Sequence, residues 1–211
     1  MLPILLYCCC HFYCSIAADF TALSLPILLY FLIPVTEGEI PDDFKSNPHK
    51  LSQKDTDARW TKKNNVCFFG YKNHVKQDVG SKLITGYEVT DASVHDSQAT
   101  ARLLDEKDKG EDFYADSAYS GEPLEKVISE RQMNNKVCEK GTRNHPLTEE
   151  QKANNREKSK VRSRVEHIFG FMEMSMNEMY IQCIGRKRAA TVIGLMNLTY
   201  NMFRKIQLQT I

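Results

Sequence analysis

The amino-acid sequence predicts a mixed α/β fold, either α/β or α+β, in which helices flank a mixed sheet. Three patterns indicate this class: a β-hairpin early in residues 37–211, short strands and helices that alternate after it, and long helices towards residue 211. The chain of 211 residues is long enough for one domain of ordinary size with a hydrophobic core.

The hairpin is predicted from two neighbouring segments. Residues 65–79 (NVCFFGYKNHVKQDV) alternate between apolar and polar side chains, and residues 82–92 (KLITGYEVTDA) are rich in strand-forming residues. Gly80 and Ser81 between them are typical of a turn. The two segments are therefore expected to pair as antiparallel strands.

A helix is predicted directly after the hairpin. Asp96 suits its N-cap, and Ala99, Leu103 and Leu104 recur at helical spacing. The role that this pattern predicts for Asp96 is helix capping.

A short strand is predicted next, in the segment FYADSAY of residues 113–119, and it leads to Asp116. A carboxylate that follows a buried strand can reach a shared ligand, but it seldom binds a divalent metal alone. Asp116 therefore requires partner ligands from elsewhere in the chain.

The remaining elements are a helix near residues 124–131, a strand at 135–139 and two long helices. The first long helix begins at TEEQ, residues 148–151, which resembles a capping box, and extends to about Met174. The last helix covers residues 186–206. One stripe of this helix is predicted to pack in the core, and it consists of Val192, Met196, Thr199 and Phe203.

The sequence SRVEHIFGFME places a second carboxylate, Glu166, at the margin of a buried helical stripe. The stripe spans about 100° of the helix, and Glu166 lies about 60° beyond its edge, on the side of Arg162. The members of the stripe are Val161, Val165, Ile168, Phe169 and Met172. Glu166 could face a cleft, or it could form an ordinary surface pair with Arg162. Periodicity alone favours the surface pair.

Residues 1–36 differ in composition from the rest of the chain. They contain no Lys, Arg or Glu and a single Asp, Asp19, and the hexapeptide LPILLY occurs in them twice. The uncharged segment 20–35 contains two prolines and is shorter than the roughly 20 residues of a membrane-spanning helix. A membrane anchor is therefore poorly supported. The segment CCCHFYC also lacks the second, separated ligand pair of a structural zinc site.

Two clusters of basic residues stand out in a chain whose net charge is only +1. The first cluster includes Lys158, Lys160, Arg162 and Arg164, and the second consists of Arg186, Lys187 and Arg188. Such runs form either a solvated helix face or a surface that contacts DNA phosphates. Composition alone leaves both alternatives open.

Several motifs occur in order along residues 37–207. They are EGEIPDDFKSNPHKLSQKDTDARWTKKN, KNHV, EVTDASVHDSQ, YADSAYSGE, NNREKSKVRSRVEHIFGFME and RKRAATVIGLMNLTYNMFRK. With these motifs the chain resembles the C-terminal part of the catalytic domain of bacterial insertion-sequence transposases of the DDE type. The resemblance implies a ribonuclease-H-like fold and two Mg²⁺ ions held by two Asp and one Glu. By resemblance, Asp116 matches the second Asp, and Glu166 matches the Glu of an Arg-x-x-x-Glu motif that begins at Arg162.

The resemblance also implies a function in DNA transposition: metal-dependent cleavage of element ends and strand transfer into target DNA. Asp116 and Glu166 would be catalytic metal ligands, and both basic clusters would contact DNA phosphates. The implied protein is cytoplasmic, bacterial and homo-oligomeric on DNA.

The sequence departs from the family in residues 1–36, where the family has its first central strand and first Asp. We therefore expect residues 1–36 to be an unrelated apolar head and residues 37–211 to be an N-terminally truncated catalytic domain without its first central strand. Asp19 lacks the motif that surrounds the family's first Asp, and Glu173 and Ser159 replace a common Lys and a less common Tyr. Impaired activity is expected. The alternatives are an inactive DNA-binding remnant and a membrane-anchored protein.

Overall fold

The computed structural model of the chain describes residues 4–14, 42–63, 65–119, 121–142, 145–176 and 179–210. Asp19 and residues 20–35 lie outside the described residues, and so does the boundary expected at residue 36. The division of the chain into a head and a catalytic domain therefore stays a prediction.

A mixed sheet forms the centre of the described residues and confirms the mixed α/β class. Its strands are β1 (Ile4–Cys14), β2 (Arg59–Lys63), β3 (Val66–Asp78), β4 (Ile84–Asp91), β5 (Asp112–Tyr114), β6 (Asn134–Asn135) and β7 (Tyr180–Ile181). The strand order is β2-β3-β1-β5-β6, with β4 also paired to β3 and β7 also paired to β1. β2, β4 and β1 are antiparallel to β3, while β5 and β7 are parallel to β1.

Seven α-helices accompany the sheet in the described ranges. They are α1 (Asp42–Lys45), α2 (Pro48–Leu51), α3 (Asp96–Leu103), α4 (Glu122–Glu130), α5 (Glu149–Arg162), α6 (Glu166–Ser175) and α7 (Arg186–Gln209). The predicted hairpin is confirmed as β3 and β4, and the strand predicted at 135–139 is reduced to β6. Backbone bonds nevertheless continue from Lys136 N to Phe113 O and from Cys138 N to Ala115 O.

The expectation that the sheet lacks its first central strand is wrong. β1, from the apolar head, lies between β3 and β5, and it pairs with β3 from Ile4↔Asp78 to Tyr13↔Gly70. Strands buried on both faces are continuous apolar runs, and ILLYCCCHFYC, with its aliphatic, aromatic and cysteine residues, matches that description. The register shifts between Cys8 and His11, as at a β-bulge.

Helices pack on both faces of the sheet around two apolar clusters. On one face, Tyr71 and Val75 of β3 join residues of α6 and α7, which include Ile168, Met172, Ile193 and Tyr200. On the other face, Phe113 of β5 joins residues of α3 and α4, which include Leu103, Leu124 and Ile128. The buried stripe predicted around Glu166 is confirmed at Val165, Ile168, Phe169 and Met172, which are all buried, whereas Val161 is only partly buried.

α7 presents a different stripe to the core from the one predicted. Its buried residues are Ala189, Ile193, Asn197 and Tyr200. Of the predicted stripe, Val192 and Phe203 are exposed, and Met196 and Thr199 are only partly buried. A shift of one position rotates the packed face by about 100°. Hydrogen bonds select this face, because Asn197 Oδ1 accepts from Asn73 Nδ2 at 2.8 Å and Asn201 bonds the backbone of Ile84.

The N-terminus of α3 differs from the sequence prediction, and the N-terminus of α5 agrees with it. Asp96 is not the N-cap of α3: His95 holds that position and accepts from Ser97 N, while the Asp96 carboxylate pairs with Lys72 at 3.2 Å. The capping box is confirmed at α5, where the side chains of Thr148 and Gln151 bond each other's backbone N–H.

Candidate functional site

Asp116 lies just beyond the carboxyl end of β5, beside the central strand β1. Phe113 and Ala115 are buried, and they fix this segment against the core of α3 and α4. Side chains alternate along a strand, so Asp116 shares a face with Tyr114, which packs towards α6 and α7. The Asp116 side chain is 44% exposed, and its Oδ1 accepts from Ser117 N at 2.7 Å. A buried strand thus delivers a solvent-accessible carboxylate.

Glu166 is the first residue of α6 and follows a 3₁₀ turn at Ser163–Val165. The helix predicted to run unbroken to Met174 therefore tightens immediately before this residue. Val165 and Ile168 on either side of Glu166 are completely buried, while the Glu166 side chain is 54% exposed. The helix is anchored by its neighbours, and the carboxylate points out of the core.

Arg162 brings the two carboxylates together. Its Nη1 lies 3.6 Å from Asp116 Oδ2, and its Nη2 lies 3.7 Å from Glu166 Oε1. The two predicted catalytic residues, separated by 50 positions in the chain, thus share one guanidinium. The surface-pair interpretation of Glu166 describes only half of this arrangement, because Arg162 is 80% buried and also contacts Asp116. The catalytic role of the pair remains a prediction.

Polar contacts to the backbone position α5, which has no buried residue of its own. Asn155 bonds both N and O of Glu139 at 2.9 and 3.0 Å, and Lys158 Nζ donates to Val137 O at 3.0 Å. These bonds attach α5 to the segment that continues the β5 ladder, so that Arg162 at the end of α5 reaches Asp116. Sequence reasoning missed this role of Asn155 and Lys158, because a polar helix shows no apolar stripe to locate its packed face.

The chemistry of this carboxylate pair suits a hard divalent cation. Mg²⁺ is commonly held by one or two carboxylates together with water and substrate phosphates. Within the described ranges, no group of three or more His, Cys, Asp and Glu side chains is placed to hold a metal. The sequence of β1 contains no carboxylate. The described residues thus offer Mg²⁺ two carboxylates, Asp116 and Glu166, and the role of this pair as metal ligands stays a prediction.

The first basic cluster is only partly available to a ligand. Lys160 is 70% exposed and pairs with Glu157 on the same helix, at 2.7 Å. Lys158 donates to the backbone, and Arg164 donates through Nη1 to Val79 O at 3.2 Å. Of the residues predicted to contact DNA in this cluster, Lys160 and Arg164 are thus exposed, whereas Lys158 and Arg162 are partly buried.

The second basic cluster is exposed at the N-terminus of α7. Arg186, Lys187 and Arg188 all face solvent. Basic residues are unfavourable beside the positive end of a helix dipole. Two carboxylates compensate for this arrangement, because Asp55 accepts from Gly185 N at 3.1 Å and Asp57 accepts from Arg186 N at 2.9 Å.

A buried polar row on β3 escaped the sequence analysis, although it was visible as the polar residues of the alternating segment KNHVKQ. Lys72 pairs with Asp96, and Lys76 Nζ contacts the carboxylates of Asp105 and Asp108 at 3.1 Å each. His74 between them lies 2.8 Å from the Thr90 hydroxyl. These contacts attach α3 and the following turn to the sheet on the face opposite Asp116.

None of the helices in the described part of the chain is both long enough and apolar enough to cross a membrane.

Comparison with known proteins matches the chain to a family and to a named relative. The family model described as "Transposase DDE domain" matches residues 38–202. The chain is also 35% identical over 136 residues to the transposase for insertion sequence element IS1106 from Neisseria meningitidis serogroup B. That alignment covers 63% of this chain and 46% of the relative, so the chain spans about half the length of the protein it matches. No solved structure matches the chain significantly.

Proposed function

The chain belongs to the family of transposase DDE domains, and from this premise we propose that Asp116 and Glu166 hold Mg²⁺ at a site that cleaves and joins DNA strands. The convergence of both carboxylates on Arg162, at the end of the strand beside β1, carries the proposal. The expected reaction is cleavage at the ends of an insertion element followed by strand transfer into target DNA. The relative is a transposase for an insertion sequence, which supports the same class of substrate.

The protein's part in such a reaction is to bind and orient. When bound, Mg²⁺ supplies activation of the attacking oxygen and stabilisation of the leaving oxygen. Asp116, just beyond β5, and Glu166, on α6, would contribute two negative charges from rigid positions and so would hold the cation, and through it the reacting phosphodiester, at a fixed place relative to the sheet. Activity is expected to be impaired compared with a three-carboxylate site, since fewer protein ligands bind the cation less tightly.

Exposed basic residues supply the proposed DNA contacts. Lys160 and the cluster of Arg186, Lys187 and Arg188 are accessible to phosphates. Contacts of this kind are independent of sequence and weaken as salt concentration rises, because each neutralised phosphate releases counterions. We propose DNA as the partner and homo-oligomers on DNA as the working assembly. Lys158 contributes positive potential from a partly buried position, and Arg164 contributes it from an exposed one.

Nicking of plasmid DNA tests the catalytic proposal. The purified chain is incubated with supercoiled plasmid in Mg²⁺ or Mn²⁺, and relaxation is compared for the wild type, Asp116→Asn and Glu166→Gln. We expect either substitution to lower the nicking rate by at least about 100-fold, because the cation loses one of its two carboxylates. Glu130→Gln, which is exposed at the end of α4, serves as the matched control and should leave the rate unchanged. Equal nicking by all four proteins would contradict the proposal.

A second candidate function is DNA binding without chemistry. The absence of any carboxylate from the sequence of β1, where the family has its first Asp, favours this alternative. It predicts salt-dependent DNA affinity that Asp116→Ala leaves unchanged and that charge reversal of Arg186 and Arg188 lowers, with no metal-dependent nicking. Measurement of affinity and nicking on the same preparations separates the two functions.

A further inference from the structure

We propose that Arg162 is a positioning residue that occupies the space between Asp116 and Glu166 until a divalent cation and DNA displace it together. The inference rests on the proposed function of the two carboxylates as metal ligands. It adds a regulatory step: the site is held closed by the protein's own guanidinium, so that metal binding and DNA binding become coupled.

The geometry indicates that the Arg162 guanidinium is held between the two carboxylates but can be displaced from them. Arg162 is only 20% exposed, while its carboxylate partners are 44% and 54% exposed, so the guanidinium reaches from the protein towards solvent between two accessible acids. Both contacts, at 3.6 and 3.7 Å, are longer than the roughly 2.7–2.9 Å of strong charge-assisted hydrogen bonds. The carboxylates are therefore paired with Arg162 by charge and are not locked in a bidentate fork.

Charge makes the guanidinium and a metal mutually exclusive. Two carboxylates near one another repel unless a positive charge compensates them. Arg162 supplies one such charge, and a divalent cation would supply two in the same space. A guanidinium that stayed beside the bound cation would face like-charge repulsion at short range. Entry of the cation consequently requires that Arg162 release at least one carboxylate.

The position of Arg162 in the chain allows this release without disturbing the core. It is the last residue of α5 and precedes the Ser163–Val165 turn, where the α-helical bonding pattern changes. The buried anchors of this region follow Arg162: Val165 ends the turn, and Ile168 lies beyond it in α6. The Arg162 side chain can therefore leave its partners while α6 keeps Glu166 in place.

DNA favours the released state in two ways. A phosphate near the site offers Arg162 an alternative anion, and it offers the cation further oxygen ligands. Each ligand thus lowers the cost of binding the other. The wild type should bind the cation weakly alone and more tightly with DNA, whereas a chain without the guanidinium should bind it tightly in both conditions.

Direct measurement of Mn²⁺ affinity tests the inference without reference to catalysis. Free Mn²⁺ is determined by electron paramagnetic resonance for the wild type and Arg162→Gln, each with and without a random-sequence DNA duplex. We expect Arg162→Gln to bind Mn²⁺ about fivefold more tightly or better without DNA, and we expect DNA to have a smaller effect on its Mn²⁺ affinity than on that of the wild type. Arg162→Lys, which keeps one charge but no fork, should fall between them.

Controls separate this inference from the proposed function. Arg102→Gln removes a charge of the same sign from α3, where Arg102 pairs with Glu88 at 3.0 Å, and should leave Mn²⁺ affinity near the wild-type value. Thermal melting verifies that each variant is folded. Mn²⁺ binding that depends on Asp116 but is unchanged or weakened by Arg162→Gln overturns the role of Arg162 alone. If Asp116→Asn does not reduce Mn²⁺ binding, or no protein binds Mn²⁺, the metal site itself is overturned, and the inference with it.

Discussion

His74 shows how strongly a single residue depends on the sheet around it. It is 1% exposed, and burial lowers the pKa of its imidazole from 6.5 to about 4. Asp96 raises this pKa, while Lys72 and Arg102 lower it. The folded protein therefore keeps His74 neutral under conditions in which the unfolded chain is already protonated.

This difference predicts acid sensitivity. Because the folded pKa lies below the unfolded value, the stabilisation is complete above about pH 6.5 and is lost as the pH falls towards 4. A shift of this size corresponds to about 3 kcal/mol at most. Urea unfolding measures the decrease in the free energy of unfolding between pH 7.5 and pH 4.5. This decrease should be smaller by about 2 kcal/mol in His74→Gln than in the wild type. An equal loss in both proteins would show that other groups control the acid transition.

At the scale of elements, sequence periodicity predicts some of the packed faces, whereas long-range polar contacts select others. The β3–β4 hairpin and the stripe of α6 could be predicted, because alternation and helical periodicity report directly on which side chains face a core. The packed face of α7 could not, because apolar residues occur on both candidate faces of this helix. Asn73, 124 positions earlier, selects one of them through its bond with Asn197.

The same reasoning applies to the N-terminus of α7, where Asp57 acts as a distant cap. Its Oδ2 accepts from Arg186 N at 2.9 Å, and its charge lies at the positive end of the helix. Asp57→Ala should lower the free energy of unfolding by about 1 kcal/mol, and Asp57→Asn, which keeps an acceptor oxygen, by less. Urea titration measures both. Asp42→Ala provides the control, because its salt bridge with Lys45 is exposed and its removal should change stability by less than about 0.5 kcal/mol. A loss for Asp57→Ala no larger than for Asp42→Ala would remove the capping role.

At the scale of the whole molecule, the sequence predicts the two carboxylates of the candidate site but not the central strand of the sheet that carries them. Asp116 and Glu166 are predicted from their sequence context, but the guanidinium between them depends on how α5 attaches to the segment at Val137 and Glu139. The position of β1 was missed because residues 1–36 match no family motif and their composition suggested foreign sequence. Pairing with β3 depends only on backbone groups and apolar character, so strand formation does not require the family's motif.

The central position of β1 leads to a prediction about the stability of the fold. β3 and β5 each pair with this strand, so a chain without residues 1–14 would expose two unpaired strand edges in the middle of its sheet. We expect this deletion to abolish cooperative thermal unfolding, as followed by circular dichroism, and to promote aggregation. Leu6→Pro, at the position paired with Lys76, should lower the unfolding free energy by about 2–4 kcal/mol, whereas Leu6→Val keeps the backbone N–H and should cost less. Cooperative unfolding of the deletion variant at the wild-type temperature would mean that residues 15–211 form their sheet without β1. Loss of cooperative unfolding in the deletion variant, together with a larger loss of stability in Leu6→Pro than in Leu6→Val, would show that the apolar head supplies an integral strand of the fold.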